Sequence, residues 1–231
     1  MSEPRVYRQL RFETPAGATE LLLVRHGESK AAVEGESFGH VDGHGDPPLS
    51  ALGHDQAERL AGRLGHEHID AIYVTTLCRT AQTAAPLAAR LGLEPKVERD
   101  LREVFLGEWE GGVFRQKVTE RDPVALEMAE LQAWEVIPGA EPSVSFSARV
   151  RAGIVRIAST HPDDRVVVVA HGGTIGEILR QATGCQPWAM VGSDNASISH
   201  LVVHGDRWVL RRFNDTAHLD DGLRIHPAPL T

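Results

Sequence analysis

The sequence predicts an α/β fold of three layers: a mostly parallel sheet flanked by helices, with one antiparallel edge strand. Three observations carry this reading. The runs Leu21-Leu22-Leu23-Val24 and Val166-Val167-Val168-Val169-Ala170 are apolar without alternation, which suits strands buried on both faces. Helical patterns lie between such runs, and strand alternating with helix argues for a parallel sheet. Near the end, Leu201-Val202-Val203 and Trp208-Val209-Leu210 flank His204-Gly205-Asp206, the pattern of a hairpin at a sheet edge.

The elements follow in order. Residues 1–19 carry Pro15 and Gly17 and no clear period, so they read as a tail or an added edge segment. After Ser50, a candidate N-cap, Ala57, Leu60, Ala61 and Leu64 mark a helix face. Ala71-Ile72-Tyr73-Val74 is a third candidate strand. The Ala-rich stretch from Thr76 to Arg90 favours helix, with Pro86 expected to kink or split it. Residues 111–142 hold several Gly and Pro around a helical patch from Val124 to Trp134. They read either as a lid or substrate-contacting insertion or as a surface excursion without function. Val150, Ile154, Ile157 and Ala158 mark another helix, and Thr174 to Ala182 a helix entered straight from a strand. With no repeats and no low-complexity linker, residues 1–231 are expected to form one domain.

Composition bounds the function. The 231 residues carry a formal net charge of −8, with 42% hydrophobic and 24% charged residues, ordinary for a globular chain. The acidic balance argues against a nucleic-acid or anionic-membrane binder, which would show a basic face. Two cysteines, Cys78 and Cys185, are too few for a disulfide framework and fit reduced thiols in a cytosolic protein. The N-terminus lacks the apolar segment of a secretory signal, and no apolar run is long enough to span a bilayer. The expected location is therefore the cytoplasm.

Ligands in open α/β sheets bind beyond the carboxyl ends of the strands. Two buried runs end there in His followed by Gly: Arg25-His26-Gly27 and His171-Gly172-Gly173. If those strands are neighbours, the imidazoles face one pocket, and glycine lets backbone approach a ligand closely. Pattern alone leaves two readings open, a shared site or two unrelated polar strand ends. The third strand leads into Thr75-Thr76-Leu77-Cys78-Arg79-Thr80, which places Arg79 in the first turn of a helix. That helix terminus favours an anion, and an arginine fork suits phosphate.

At this point the sequence resembles the histidine phosphatase superfamily, the phosphoglycerate-mutase-like enzymes, in its phosphatase-type branch. Leu23-Val24-Arg25-His26-Gly27-Glu28-Ser29 resembles the RHG signature. Pro48-Leu49-Ser50 with Gly53 and Gln56-Ala57, then Arg79-Thr80-Ala81-Gln82-Thr83-Ala84, follow in the family order. Leu101-Arg102-Glu103 with Gly107-Glu108-Trp109-Glu110-Gly111, Ala170-His171-Gly172-Gly173 and Asn195-Ala196-Ser197-Ile198 complete the set. The likeness runs from about residue 21 to 213.

The resemblance implies a phosphoglycerate-mutase-like fold and a metal-independent phosphomonoester hydrolase without cofactor. His26 would be the nucleophile, becoming a phosphohistidine. Arg25, Arg79 and His171, with Gly172 in the phosphate-binding set, would hold the phosphoryl oxygens. Glu103 would give a proton to the leaving oxygen and then take one from water; without the resemblance it reads as a surface carboxylate. The substrate would be a small phosphorylated metabolite. A phosphoglycerate-type mutase and a non-catalytic phosphate- or protein-binding module are the alternatives, and oligomeric state is open. Four departures stand out: Ala32 where the family usually has a phosphate-contacting Asn, a longer Gly- and His-rich stretch from Gly35 to Asp46, Val74-Thr75-Thr76 in place of small serines, and Cys78 before Arg79. Specificity is expected in that stretch, in residues 111–142 and after Asn195.

Other residues have plainer readings. His40, His44, His54, His66 and His68 fit no closed zinc spacing and read as loop and helix-surface histidines. Trp109 is either a packing anchor or a ligand contact. Cys78, beside the proposed anion site, is expected to have a lowered pKa. Asp220 and Asp221 read as solvated surface.

Overall fold

A computed structural model describes residues 5–219; the Asp220-Asp221 expectation lies outside them. The first strand, β1, is Thr19–Arg25, so the expected tail overlaps it by one residue. The short strands β2 (His40–Val41) and β3 (His44–Gly45) form a separate two-stranded ribbon. Next come α1 (Ala51–Leu64), β4 (Ala71–Val74), α2 (Cys78–Leu91) and β5 (Lys96–Val97). In residues 111–142 lie α3 (Val113–Thr119) and α4 (Pro123–Leu131). The chain then forms α5 (Ser143–Thr160), β6 (Arg165–Ala170), α6 (Gly172–Thr183), β7 (Ile198–His204) and β8 (Arg207–Asp215).

The main sheet has the order β5-β4-β6-β1-β7-β8. β5, β4, β6 and β1 are mutually parallel. β7 pairs antiparallel with β1, and β8 closes that edge as its hairpin partner. The strand side chains divide between two cores, because successive residues point to opposite faces. Leu21, Leu23, Tyr73, Val166 and Val168 face the core under α5 and α6, where Ile154, Ile157, Ile175 and Ile178 meet them. Leu22, Val24, Ile72, Val167 and Val169 face the core under α1 and α2, against Leu60, Leu64, Ala84 and Leu87. Burying each such aliphatic side chain stabilises by about 1.5–3 kcal/mol, which is why the central strands tolerate no polar alternation.

Helix α1 begins where expected: the Ser50 hydroxyl accepts from the Gly53 amide at 3.1 Å and donates to Glu28 Oε1 at 2.6 Å. Ser50→Ala is expected to cost about 1 kcal/mol, the usual worth of such a cap. A shift in the urea midpoint with unchanged slope would report it; no shift would refute the cap's contribution.

The split expected at Pro86 does not occur. Helix α2 runs from Cys78 to Leu91 without interruption, with Pro86 inside it. Proline removes one amide donor, but Thr83, Ala84, Leu87 and Ala88 bed the helix into the core on both sides of it, and this packing outweighs the local preference. Residues 111–142 also pack inward: Phe114, Met128, Trp134 and Ile137 are buried in the core under α5 and α6.

Candidate active site

β1 and β6 are adjacent parallel strands with Arg25 opposite Ala170, so His26 and His171 leave the sheet side by side. Their ring centroids lie 5.2 Å apart, edge to face. The His26 amide donates to the Ala170 carbonyl at 3.0 Å. The Asn195 side chain donates to the His26 carbonyl at 2.9 Å, the Ala196 amide to the Arg25 carbonyl at 3.0 Å, and the Arg25 amide to the Ser197 carbonyl at 3.2 Å. The Asn-Ala-Ser segment thus clamps the Arg-His backbone. From the other side, the Gly27 amide donates to Thr83 Oγ1, the Glu28 amide to Gln56 Oε1 and the Leu49 amide to Gln82 Oε1. Gly27 also needs its missing side chain, since a Cβ there would meet the Gly53 carbonyl oxygen at 2.5 Å.

The His26 ring has a defined tautomer. Its Nδ1 lies 2.7 Å from the Gly27 carbonyl, an acceptor, so Nδ1 carries the hydrogen. Nε2 therefore keeps its lone pair, and Arg79 Nε donates to it at 3.2 Å. Burial, then the charges of Arg79 and Arg25, hold the His26 pKa well below the usual imidazole value. Burial and the same Arg79 do likewise for His171. His171 is fully enclosed, with Nε2 3.0 Å from Thr75 Oγ1 and Nδ1 buried without a partner among the described residues. Both rings are neutral at pH 7.

Arg25 and Arg79 are 4% and 8% exposed. Arg25 Nη1 donates to the Ser193 carbonyl, and its Nε is buried without a partner among the described residues. Arg79 Nη1 donates to the Gly45 carbonyl at 3.2 Å and lies 3.6 Å from Asp46 Oδ1. Burial lowers both guanidinium pKa values while Glu103 opposes it; arginine stays charged nonetheless.

Glu103 is buried rather than on the surface. Its Oε2 accepts from the Gly173 amide and its Oε1 from the Thr174 and Val104 amides, each at 3.0 Å. The carboxylate thus rests on the N-terminal amides of α6. Gly173 makes this approach possible: a Cβ there would lie 2.6 Å from Glu103 Oε1. Arg149 from α5 donates to the carbonyls of Asp100, Arg102 and Glu103 at 2.8 Å each while pairing with Glu141, which pins the segment that carries Glu103.

Arg25, His26, Arg79 and Glu103 line one cavity of about 1250 Å³, together with Ala32, Gly111, Phe114 and Arg115. His171 backs it through its contact with His26, and Gly172 is buried at the first position of α6, outside the lining set among the described residues. The structure therefore brings together four of the expected residues at the wall, a fifth just behind it, and Gly172 as support.

Several contributors escape the sequence. His44 is not a surface histidine; it is buried, its Nε2 lies 3.2 Å from the Glu103 carbonyl, and its ring packs edge-on to Phe105. His40, His54, His66 and His68 are exposed. Among the described residues no three His, Cys, Asp or Glu side chains gather as a metal-binding group. Cys78 corrects a second expectation: burial and its Asp46 contact push its thiol pKa up to about 11, because the nearby carboxylate outweighs Arg79. Trp109 is buried against Phe114 and also lines the cavity. Asp46, Glu110 and Arg115 reach the site from loops and a helix with no periodic signal; Glu110 accepts from the Gly45 and Leu106 amides.

Burial of neutral histidines has a consequence for stability. Burial also lowers the His44 pKa. Each of these rings binds a proton more readily unfolded than folded, so their share of stability is complete above about pH 6.5 and declines as pH falls below it, by at most about 1.4 kcal/mol per pH unit per residue. Urea unfolding is expected to show a lower midpoint at pH 5.5 than at 7.5, with a shallower decline in His171→Gln. Equal pH slopes in the two proteins would contradict this.

Comparison with known proteins agrees with the geometry. The model of the histidine phosphatase superfamily (branch 1) matches residues 21–216. The chain belongs to the histidine phosphatase superfamily. It is 32% identical over 207 residues to phosphoglycerate mutase-like protein 4 of Arabidopsis thaliana, covering 87% of each chain. It is 32% identical over 211 residues to phosphoserine phosphatase 1 of Hydrogenobacter thermophilus, covering 87% of this chain and 95% of that one. Among solved structures, a mycobacterial glucosyl-3-phosphoglycerate phosphatase superposes with a TM-score of 0.72 at 30% identity, covering 86% of this chain and all of the other. The span matched by the histidine phosphatase model contains Arg25, His26, Arg79, Glu103 and His171.

Proposed function

We propose that the protein hydrolyses a small phosphomonoester through a phosphohistidine on His26. The observation that carries this is the fixed tautomer: Nε2 keeps its lone pair, aimed at the buried Arg79 and within the field of the buried Arg25, with a neutral second imidazole alongside. Nε2 attacks phosphorus, the P–N bond forms, and the ester P–O bond breaks with its electrons leaving on oxygen. Glu103, protonated for this step, gives the leaving oxygen its proton. Water then attacks phosphorus, Glu103 takes the water proton, and the P–N electrons return to Nε2. Arg25 and Arg79, on the cavity wall, face the phosphoryl oxygens and neutralise them as charge develops, and His171, directly behind His26, adds its Nδ1–H, which has no partner among the described residues. For His171 this requires Thr75 to donate to Nε2.

The substrates named for its relatives, phosphoserine and glucosyl-3-phosphoglycerate, support a small phosphorylated metabolite. The acidic chain suits neither nucleic acid nor an anionic membrane, and no helix among the described residues is long and apolar enough to cross a bilayer. Both cysteines are free thiols, in keeping with a cytoplasmic location. Residues 111–142 roof the cavity through Gly111, Phe114 and Arg115, as a substrate-contacting insertion would.

The test is steady hydrolysis of p-nitrophenyl phosphate in the presence of a metal chelator, with acid-labile label trapped on the protein from a phosphorus-labelled substrate. No turnover overturns the reading. Conversion of 3- to 2-phosphoglycerate at a rate rivalling phosphate release replaces it with the mutase.

A further inference from the structure

Arg115 projects from α3 into the cavity, outside the set of residues assigned to the phosphoryl group. Its guanidinium donates to Ser29 Oγ and to the Lys30 carbonyl, each at 2.8 Å, and lies over the Phe38 ring. All three partners are neutral. It makes no ion pair among the described residues, and Glu28, the one carboxylate that favours its charge, acts at longer range. Glu28 is itself engaged by Ser50, Glu110 by two backbone amides, and Asp194 by Asn214. Arg115 is close enough to act electrostatically on Arg25, His26 and Arg79, and burial disfavours its charge.

Arg25, Arg79 and Arg115 thus converge on one cavity, whose lining also includes Arg59, paired with Asp55. A phosphoryl dianion is already met by Arg25, Arg79 and the two histidines. A half-buried cation held only by neutral partners is costly unless the ligand supplies its counter-charge, and the cavity of about 1250 Å³ extends well beyond a phosphoryl group. We propose that Arg115 binds a carboxylate on the substrate, next to the transferring phosphoryl group. Arginine offers a planar fork matched to that anion. The protein is then selective for phosphoesters of hydroxy- or amino-acids over those of neutral alcohols. This rests on the hydrolase reading and specifies its substrate class.

A matched pair isolates the contact: 3-phosphoglycerate and glycerol 3-phosphate share one ester and differ by carboxylate against hydroxymethyl. The parent is expected to favour 3-phosphoglycerate in kcat/KM by about tenfold or more, the worth of a charge-assisted hydrogen bond. Arg115→Gln is expected to raise KM for 3-phosphoglycerate by about that factor and to change glycerol 3-phosphate kinetics far less, so that the ratio of the two kcat/KM values falls toward one. Arg115→Lys should restore part of the preference. Equal losses on both esters would place Arg115 on the phosphoryl group or in the support of α3, and no loss would make it a bystander; either overturns the proposal, as does a parent without preference. Ligand-induced shifts in Tm read the same preference without turnover. A parent that binds 3-phosphoglycerate selectively but hydrolyses neither ester would fail the hydrolase reading alone.

Discussion

His26→Ala is expected to abolish turnover, lowering kcat by about 10⁴-fold or more, since a nucleophile that forms a covalent intermediate has no substitute within bond-forming reach. Arg79 Nε, which donates to His26 Nε2, would then face an empty position or solvent. His171 cannot take over: it lies behind the wall, with Nε2 against Thr75. The fold should survive, because the strand-end backbone is held by Asn195, Ala196 and Thr83 rather than by the imidazole. Circular dichroism and the urea midpoint separate loss of chemistry from loss of fold. A folded His26→Ala protein that hydrolyses aryl phosphate at the parent rate would show that the nucleophile lies elsewhere.

Glu103→Gln is expected to act unequally on the two half-reactions and on different esters. Loss of a general acid typically costs about 10²- to 10⁴-fold. That full loss should appear with alkyl phosphates, whose leaving oxygen needs a proton. With p-nitrophenyl phosphate the leaving group departs as an anion, so His26 should still be phosphorylated. Water attack then lacks its base, and the variant should release a burst of nitrophenol followed by slow turnover. The substitution also carries a structural cost. Three backbone amides donate to the carboxylate of Glu103, and the amide end of the replacement side chain would turn its own N–H groups toward a donor, for about 1–3 kcal/mol. Equal slowing on alkyl and aryl esters without a burst would count against proton transfer by Glu103 and leave it a positioning role.

These two residues were not equally legible. His26 stands at the end of an apolar run with Arg before it and Gly after it, a local pattern with a physical reason. Glu103 has no such pattern. It becomes a candidate only through resemblance, because its contacts are with Gly173 and Thr174, about seventy residues away in the chain. The split expected at Pro86 did not occur for a related reason: local propensity is worth little against a helix face sealed into a core. Cys78 failed because helix N-terminus and Arg79 argue for a lowered pKa, whereas burial first, and then Asp46 folded in from a loop, argue against it and win.

The acidic net charge changes meaning in the same way. An average of −8 argues against polyanionic partners, yet it hides Arg25, Arg79 and Arg115 converging on one cavity. The sequence by itself determined strands β1, β4, β6, β7 and β8, the two-sided burial, the hairpin edge and the strand-end His-Gly pairs, since periodicity and burial are local properties of a chain; the two-residue strands β2, β3 and β5 are too short to carry such a pattern. Only the tertiary structure decided the tautomer of His26, the burial of His44 and Glu103, and the setting of Arg115 against the neutral Ser29, Lys30 carbonyl and Phe38. Each of these depends on which distant carbonyl, amide or carboxylate packing brings within about 3 Å, the range over which hydrogen bonds act.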